Sequence, residues 1–369
     1  MKTILIIAGT RPEVIKLAPV LLCAREKYSS QISAALCLTG QHRTMADEAL
    51  SIFGLREDDC LHIMKEGQTL NDVAKAVFER LPTVIEKVRP DVIMVQGDTT
   101  TASMAAICAF NMRIPVAHVE AGLRSFDLDA PYPEELNRKV ISCLARFNFC
   151  PTESGKTNLQ EESVPDSTIY VTGNTIVDAL RIITETHALD LTPKIHGSIR
   201  RPFILVTAHR RESFGEGIRN ICAALKACAH RFPQHQFVYP VHLNPNIDGP
   251  VREMLKDEEN VILMPPVSYL HLLTLLKHCE LAISDSGGIQ EEAPSFNKYC
   301  IVMRDVTERI ESVEQGLSEL VGTDPGRIVE AFAHRIMHTQ PRTPVLNPYG
   351  DGHAAERILD YLVMDGATQ

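Results

Sequence analysis

The sequence lacks any pair of cysteines spaced as C-x-x-C, although it contains ten cysteines among 369 residues. Cys37, Cys108 and Cys300, for example, each occur alone inside an apolar run. Isolated cysteines in apolar runs are typical of buried, reduced thiols rather than of a disulfide framework. This pattern predicts a cytosolic protein.

Long apolar segments are also missing from the beginning of the chain. Met1 and Lys2 lead into a short apolar run that soon reaches Gly9 and Pro12. The run is far shorter than the apolar core of a signal peptide or a membrane-spanning helix. We therefore expect it to form the first strand of a soluble domain.

The chain has fewer basic than acidic side chains. The chain has 37 Lys and Arg residues against 47 Asp and Glu residues, which gives a formal net charge of -10. A surface of this average charge repels nucleic acids and anionic membranes, so we expect neither as a partner. Any phosphate group that the protein binds must be met by local donors.

The chain does contain a regular alternation of short β-branched runs and helical segments. Apolar strands alternating with helices indicate parallel sheets covered on both faces, and this length predicts two α/β domains. A polar stretch at residues 186–202 separates two such series. The predicted strands are residues 4–9, 35–40, 91–98, 114–122, 147–153 and 168–174, then 203–209, 236–242, 260–266, 280–286, 298–304 and 319–324.

Ligands of open parallel sheets bind beyond the carboxyl ends of the strands. After the first predicted strand, Thr10 and Glu13 have the spacing of a capping box. A helix N-terminus with Arg11 and Lys16 nearby predicts an anion site; the alternative is a plain capped helix with solvated basic side chains. G-x-G-x-x-G is absent here, which argues against a dinucleotide-binding fold in its usual form.

Two acidic residues, Asp98 and Glu120, follow adjacent predicted strands. A carboxylate at the end of a buried strand costs free energy unless it is solvated, paired or functional. Two of them on neighbouring strands therefore indicate a shared site, although Asp98 alone could be a helix N-cap.

A third acidic position begins a helix after the prolines of residues 131–133. Glu134 and Arg138 are four residues apart, so they form either a surface ion pair or a carboxylate held by a guanidinium beside the same site. We expect the buried face of this helix to contain Leu136, Val140 and Leu144.

The second series has its own phosphate-binding pattern. His209 ends a predicted strand and is followed by two arginines. Ser286-Gly287-Gly288 joins another strand to a helix, so its N–H groups can face a pyrophosphate, while Glu292 could accept from ribose hydroxyls. Arg304 and Arg309 add fork-shaped cations suited to phosphate.

The histidine patterns do not indicate a metal. His334 and His338 are four residues apart but lack the glutamate of a metalloprotease helix. His118 lies inside a predicted strand and is expected to be a hydrogen-bonded core residue. We predict no metal site.

Nine segments together resemble the non-hydrolysing UDP-N-acetylglucosamine 2-epimerase family, and they span the chain in the family's order. They are GTRPEVIK, QGDTTT, HVEAGLRS, PEELNR, TAHRRESFGEG, PVHLNPN, SDSGGIQEEAPS, MRDVTER and NPYGDGHA. The resemblance implies the glycosyltransferase B type fold, with two Rossmann-like domains about a cleft. Residues 1–172 and 353–369 would form one domain, and residues 173–352 the other.

The implied reaction is reversible epimerisation of UDP-N-acetylglucosamine to UDP-N-acetylmannosamine, for surface polysaccharide precursors. UDP is eliminated to leave 2-acetamidoglucal and is then added back, without a nicotinamide or other cofactor, in a homodimer. The implied catalytic residues are Asp98, Glu120, Glu134, Lys16, Arg138 and His209. The implied UDP-binding residues are Arg11, His209, Ser286, Gly287, Gly288, Glu292 and Arg309.

Several positions depart from the family pattern and leave the exact sugar open. Gln96 stands where the family usually has histidine, and His271 where it usually has proline. Four alternatives remain: an epimerase of a related UDP-2-acetamido sugar, a hydrolysing epimerase, a non-catalytic binder, and a retaining glycosyltransferase, for which Asp127-Leu128-Asp129 supplies a D-x-D sequence.

Some family members are activated by their own substrate at a neighbouring site. Gln41, Arg211 and His242 are the candidate allosteric residues here. Gly67 replaces an arginine of those members, and a lost charge-assisted hydrogen bond costs roughly 1.5 to 3 kcal/mol. We expect activation to be weak or absent.

Overall fold

The computed structural model describes residues 1–40, 43–65, 67–192, 197–199, 202–210, 213–338 and 346–365. The chain forms two compact units. Unit 1 consists of Met1–Thr186 and Tyr349–Gln369, and unit 2 consists of His187–Pro348. Within the described residues, no helix is long and apolar enough to cross a membrane.

Unit 1 contains a parallel sheet in which seven strands are described, in the order β3-β2-β1-β4-β5-β6-β7. Its strands are β1 Lys2–Ala8, β2 Ile32–Leu38, β3 Asp59–Cys60, β4 Val92–Gln96, β5 Val116–Val119, β6 Phe147–Cys150 and β7 Ile169–Val171. Its helices are α1 Arg11–Glu26, α2 Arg43–Ile52, α3 Leu70–Val88, α4 Thr100–Asn111, α5 Glu134–Leu144, α6 Glu153–Glu161, α7 Thr175–Thr186 and, from the C-terminal segment, α14 Ala354–Asp365.

Unit 2 contains a second parallel sheet, in which six strands are described in the order β10-β9-β8-β11-β12-β13. Its strands are β8 Phe203–Thr207, β9 Gln236–Pro240, β10 Val261–Met264, β11 Leu281–Ser284, β12 Tyr299–Val302 and β13 Ser318–Leu320. Its helices are α8 Glu216–Arg231, α9 Pro245–Leu255, α10 Tyr269–His278, α11 Gly287–Glu292, α12 Ile310–Glu314 and α13 Pro325–Met337.

The predicted fold class, two α/β units with parallel sheets, is confirmed. Each predicted strand overlaps one in the structure, because buried parallel strands must be apolar on both faces. Only β3 was missed among the described strands. It has just two residues, and it pairs at Cys37 and Leu38 with β2 without an apolar run of its own.

The division between the units falls after α7, whereas the sequence placed the boundary before it, at residues 172 and 173. Helix α7 packs against α1 and α14, both of unit 1. Asp178 of α7 accepts hydrogen bonds from the backbone N–H groups of Ala354 and Ala355, which begin α14. These contacts with α1 and α14, which are distant in the sequence, place α7 in unit 1.

The strand order brings the polar strand ends of unit 1 together. Strand β4 pairs with both β1 and β5, and Gln96 lies opposite Val119. The direction of winding reverses between β1 and β4, and the crevice at such a point is where open parallel sheets bind their ligands. Unit 2 has the corresponding reversal between β8 and β11.

Candidate active site

Glu120 lies directly after β5 and is buried. Its backbone is in the left-handed region, with φ of 68°, which turns the chain sharply at the strand end. Its Oε2 atom accepts from Lys16 Nζ of α1 and, at 3.1 Å, from Gln96 Nε2 of β4. Two donors from two other elements therefore hold this carboxylate. Gln96 was noted in the sequence only as a departure from the family pattern.

Asp98 lies after β4 and is bound by α5. Its Oδ2 atom accepts from Arg138 Nε at 2.9 Å and forms an ion pair with the Nη2 atom of Arg138 at 2.7 Å. Asn137 Nδ2 donates to the backbone oxygen of Asp98 at 2.8 Å. The structure thus brings Asp98 and Arg138 together.

The predicted apolar stripe of α5 is wrong. Leu136 is 49% exposed, and Val140 and Leu144 are only half-buried. The buried face contains Glu135 and Arg138 among other residues, because this helix packs a charged network rather than an apolar stripe at its first turn. The sequence interpretation followed the apolar residues and so missed Glu135.

Glu13 joins the loops after β1 and β4. It is buried, and its carboxylate accepts from the N–H groups of Gly9 and Thr10 and from Thr99 Oγ1 at 3.1, 2.7 and 2.8 Å. The capping box expected from Thr10 and Glu13 is present. Burial raises the pKa of Glu13, an effect that these hydrogen bonds only partly offset. The link to Thr99 could not be read from the capping pattern.

His118 of β5 is a core residue, as predicted. It is fully buried, and its Nε2 atom lies 2.8 Å from the backbone oxygen of Gly97. Burial lowers the pKa of His118 to about 4. The neutral imidazole therefore belongs to the packing of the loop that carries Asp98.

This histidine should make folding sensitive to acid. The unfolded imidazole binds a proton near pH 6.5 and the folded one only near pH 4, so between these values the unfolded state binds more protons. We expect the unfolding free energy to fall with decreasing pH in this window by up to about 1.4 kcal/mol per unit from His118 alone. Urea unfolding of the wild type and of His118→Gln at several pH values measures this contribution. Equal slopes for the two proteins would contradict it.

In unit 2, the buried carboxylate of Asp285 organises the ends of β8 and β11. Its Oδ2 atom accepts from the N–H groups of His209 and Arg210 at 2.8 and 2.9 Å, and the His209 ring lies 3.3 Å from Oδ1. Burial alone would raise the pKa of Asp285, but the hydrogen bonds and charge of His209 outweigh it and hold the pKa below its usual value. Asp285 was not predicted, although it ends its strand as Asp98 does.

The turn of Ser286, Gly287 and Gly288 follows Asp285, and Arg309 lies beside it. A Cβ atom at Gly287 would come within 2.9 Å of Arg309 Cζ, so a side chain there would displace the guanidinium from its present position. Arg309 is buried, and its Nε and Nη1 atoms donate to Glu291 and Glu308 at 2.9 and 3.2 Å. The two carboxylates hold the guanidinium against the glycine turn.

The remaining residues predicted to bind UDP or an allosteric ligand are Glu292, Arg11, His242, Gln41 and Arg211. Glu292 is buried and accepts from Tyr269 Oη at 2.7 Å. Arg11 is half-buried at the start of α1. The His242 ring stacks on that of His209, with centroids 6.1 Å apart, and burial lowers its pKa. Gln41 and Arg211 lie outside the described residues.

A cavity of about 480 Å³ lies elsewhere in unit 1 and contains none of the candidate residues. Its walls come from α1, α7 and α14 and from the end of α2. Lys27 at the end of α1 pairs with Glu356 of α14, and Arg181 pairs with Glu185 of the same helix, α7. We therefore do not place the active site there.

Comparison with known proteins identifies the family of the chain. The family model described as UDP-N-acetylglucosamine 2-epimerase matches residues 25–363. The chain belongs to this family. The UDP-N-acetylglucosamine 2-epimerase of Yersinia pestis is 45% identical over 97% of this chain and 98% of its own length. That of Escherichia coli strain K12 is also 45% identical, with the same coverage.

Solved structures of family members have the same fold. The UDP-GlcNAc 2-epimerase of Neisseria meningitidis, solved with UDP-GlcNAc bound, is 41% identical and superposes with a TM-score of 0.92. The match covers 99% of this chain and all of that one. A putative family member from Listeria monocytogenes is 36% identical, with a TM-score of 0.93, and the match covers 100% of this chain and 97% of that one.

Proposed function

We propose that the protein is a non-hydrolysing UDP-N-acetylglucosamine 2-epimerase, which interconverts UDP-N-acetylglucosamine and UDP-N-acetylmannosamine. The observation that carries the proposal is the pair of held carboxylates at adjacent strand ends of unit 1. Glu120 is bound by Lys16, and Asp98 by Arg138. Inversion at C2 requires proton removal on one face and proton delivery on the other, and such groups suit that work.

The proposed reaction removes the C2 proton and breaks the bond between C1 and the UDP oxygen. The electron pair of the C2–H bond forms the C1–C2 double bond of 2-acetamidoglucal, and the C1–O pair leaves with UDP. Re-addition of UDP at C1 and of a proton at C2 on the other face gives the epimer. Asp98, Glu120 and Glu134 are the candidates for the two proton transfers, with Lys16 and Arg138 orienting them.

Unit 2 offers the complementary chemistry for UDP. Negative charge develops on the diphosphate as the C1–O bond breaks, and preorganised donors stabilise such charge. We assign this role to His209, Arg309 and the N–H groups of Ser286, Gly287 and Gly288, together with Arg11 of unit 1. Glu292 would contact the ribose. No step requires a nicotinamide or another cofactor.

Incubation with UDP-N-acetylglucosamine in D2O tests the reaction directly. We expect NMR to show deuterium at C2 in both UDP-N-acetylglucosamine and UDP-N-acetylmannosamine, with the linkage to UDP retained. A hydrolysing epimerase would accumulate free sugar, a glycosyltransferase would require an acceptor, and a non-catalytic binder would leave C2 protonated. Any of these three results would replace the proposal.

In the cell, we propose that the protein is a cytoplasmic homodimer that supplies precursors of surface polysaccharide. The family resemblance supports this role. Sedimentation of the full chain measures the oligomeric state, and a monomer at all concentrations would remove that part of the proposal.

A further inference from the structure

The first turn of α5 contains a carboxylate that the proposed chemistry does not use. Glu135 is fully buried. Its Oε2 atom accepts from Ser125 N at 3.0 Å and from Arg138 Nη1 at 3.1 Å, and its Oε1 atom accepts from Phe126 N at 3.1 Å. Three donors hold this buried carboxylate in place. Removing it would leave those donors buried without an acceptor, which costs free energy.

Glu135 and Asp98 bind opposite parts of one guanidinium. Arg138 points Nη1 at Glu135, whereas Nε and Nη2 point at Asp98. The guanidinium is a rigid planar fork, so fixing one nitrogen fixes the direction of the others. Glu135 therefore helps to fix the position of the Asp98 carboxylate, because both carboxylates bind Arg138.

Glu135 also holds the loop that follows Glu120. Phe126 has a left-handed backbone, with φ of 63°, a conformation that costs free energy for a side chain of this size. The N–H groups of Ser125 and Phe126 both donate to Glu135, which closes the segment between β5 and α5. One buried carboxylate therefore joins the two loops that carry Asp98 and Glu120.

We propose that Glu135 is a positioning residue of the epimerase, which holds Arg138 against Asp98 and closes the loop after Glu120 without touching the substrate. The inference rests on the proposed role of Asp98 in proton transfer. Positioning of a reacting group matters at the scale of an ångström, so loss of the anchor should affect turnover more than binding.

The first test replaces Glu135 with glutamine. The amide keeps the size of the side chain but loses the charge that pairs with Arg138, and it adds a donor where three donors already point. We expect kcat to fall roughly 10- to 100-fold while KM changes by less than about 3-fold. Glu135→Asp keeps the charge on a shorter side chain and should recover part of the loss.

Asp178→Asn is the matched control. Asp178 is also a buried carboxylate of unit 1 that accepts two backbone N–H groups, those of Ala354 and Ala355. We expect this variant to lose stability in thermal unfolding, as Glu135→Gln does, but to keep kcat near that of the wild type. If both variants lose turnover only in proportion to stability, Glu135 has a merely structural role and the proposal fails.

A second readout does not depend on activity. The Nε–H proton of Arg138, identified in nitrogen-15 NMR spectra by its loss in Arg138→Lys, should exchange slowly with water in the wild type. We expect faster exchange in Glu135→Gln, or in Glu135→Asp if the glutamine variant does not fold, and unchanged exchange in Asp178→Asn. Wild-type exchange in a folded Glu135 variant would overturn the proposal. Absence of epimerase activity in the wild type would instead refute the proposed function.

Discussion

Glu120→Gln is expected to lower kcat by about 100-fold or more, the usual scale of acid and base contributions. The glutamine cannot exchange a proton with C2, and it loses the ionic partner of Lys16. The affinity for UDP should stay within about 3-fold of wild type, because a group that acts in proton transfer contributes little to ground-state binding. Steady-state turnover and calorimetric titration with UDP measure the two quantities.

Glu162→Gln is the control for this substitution. Glu162 is also an acidic residue of unit 1 and binds the cations Arg124 and Lys139, but it has no contact with Glu120 or Asp98 in the described structure. We expect its kcat to remain near that of the wild type. Wild-type turnover in Glu120→Gln would remove Glu120 from the mechanism and leave Asp98 and Glu134 as the candidates.

Among substitutions that add a single methyl group near the site, we expect Gly122→Ala to destabilise the protein most. Gly122 has φ of 89°, and a Cβ atom there would lie 2.1 Å from the backbone oxygen of Gly155. That oxygen is part of the α6 backbone and cannot move as a flexible side chain does. We expect the unfolding free energy to fall by about 4 kcal/mol or more, or the protein to be insoluble.

Gly54→Ala separates steric overlap from backbone strain. Gly54 also has a left-handed backbone, with φ of 63°, but a Cβ atom there would meet no atom within 4 Å. Its substitution should cost only about 1 to 2 kcal/mol, the strain of a left-handed residue with a side chain. Equal losses for the two variants in urea unfolding would show that strain, not the contact with Gly155, decides the effect.

Asp98 and Glu120 of unit 1 were proposed from the sequence because each follows a strand with a clear apolar pattern. Asp98 and Glu120 interrupt apolar runs, and such carboxylates are costly in a sheet unless they have a role. Glu135 and Glu13 could not be recognised in this way. Glutamate in the first turn of a helix is ordinary, and its hydrogen bonds to Ser125, or to Thr99 across the sheet, depend on contacts that local pattern does not encode.

The same limit explains the error on α5 and the different position of the boundary between the units. Apolar residues of α5 suggested a stripe that includes Leu136, yet the helix turns Glu135 and Arg138 inward because Asp98 and two loop N–H groups need partners. The assignment of α7 follows its packing on α1 and its contact with the returning C-terminal helix. Neither partner is near α7 in the sequence.

By itself the sequence determined the α/β class, the approximate positions of the described strands other than β3, the polar residues at the strand ends and the family. These features depend on local apolar pattern, on turn residues and on motifs in order. Only the tertiary structure decided which donors hold each carboxylate: Lys16 and Gln96 for Glu120, and Arg138 for Asp98. These pairings depend on strand order and on the burial of charge, which requires every buried carboxylate to find its partner across the fold.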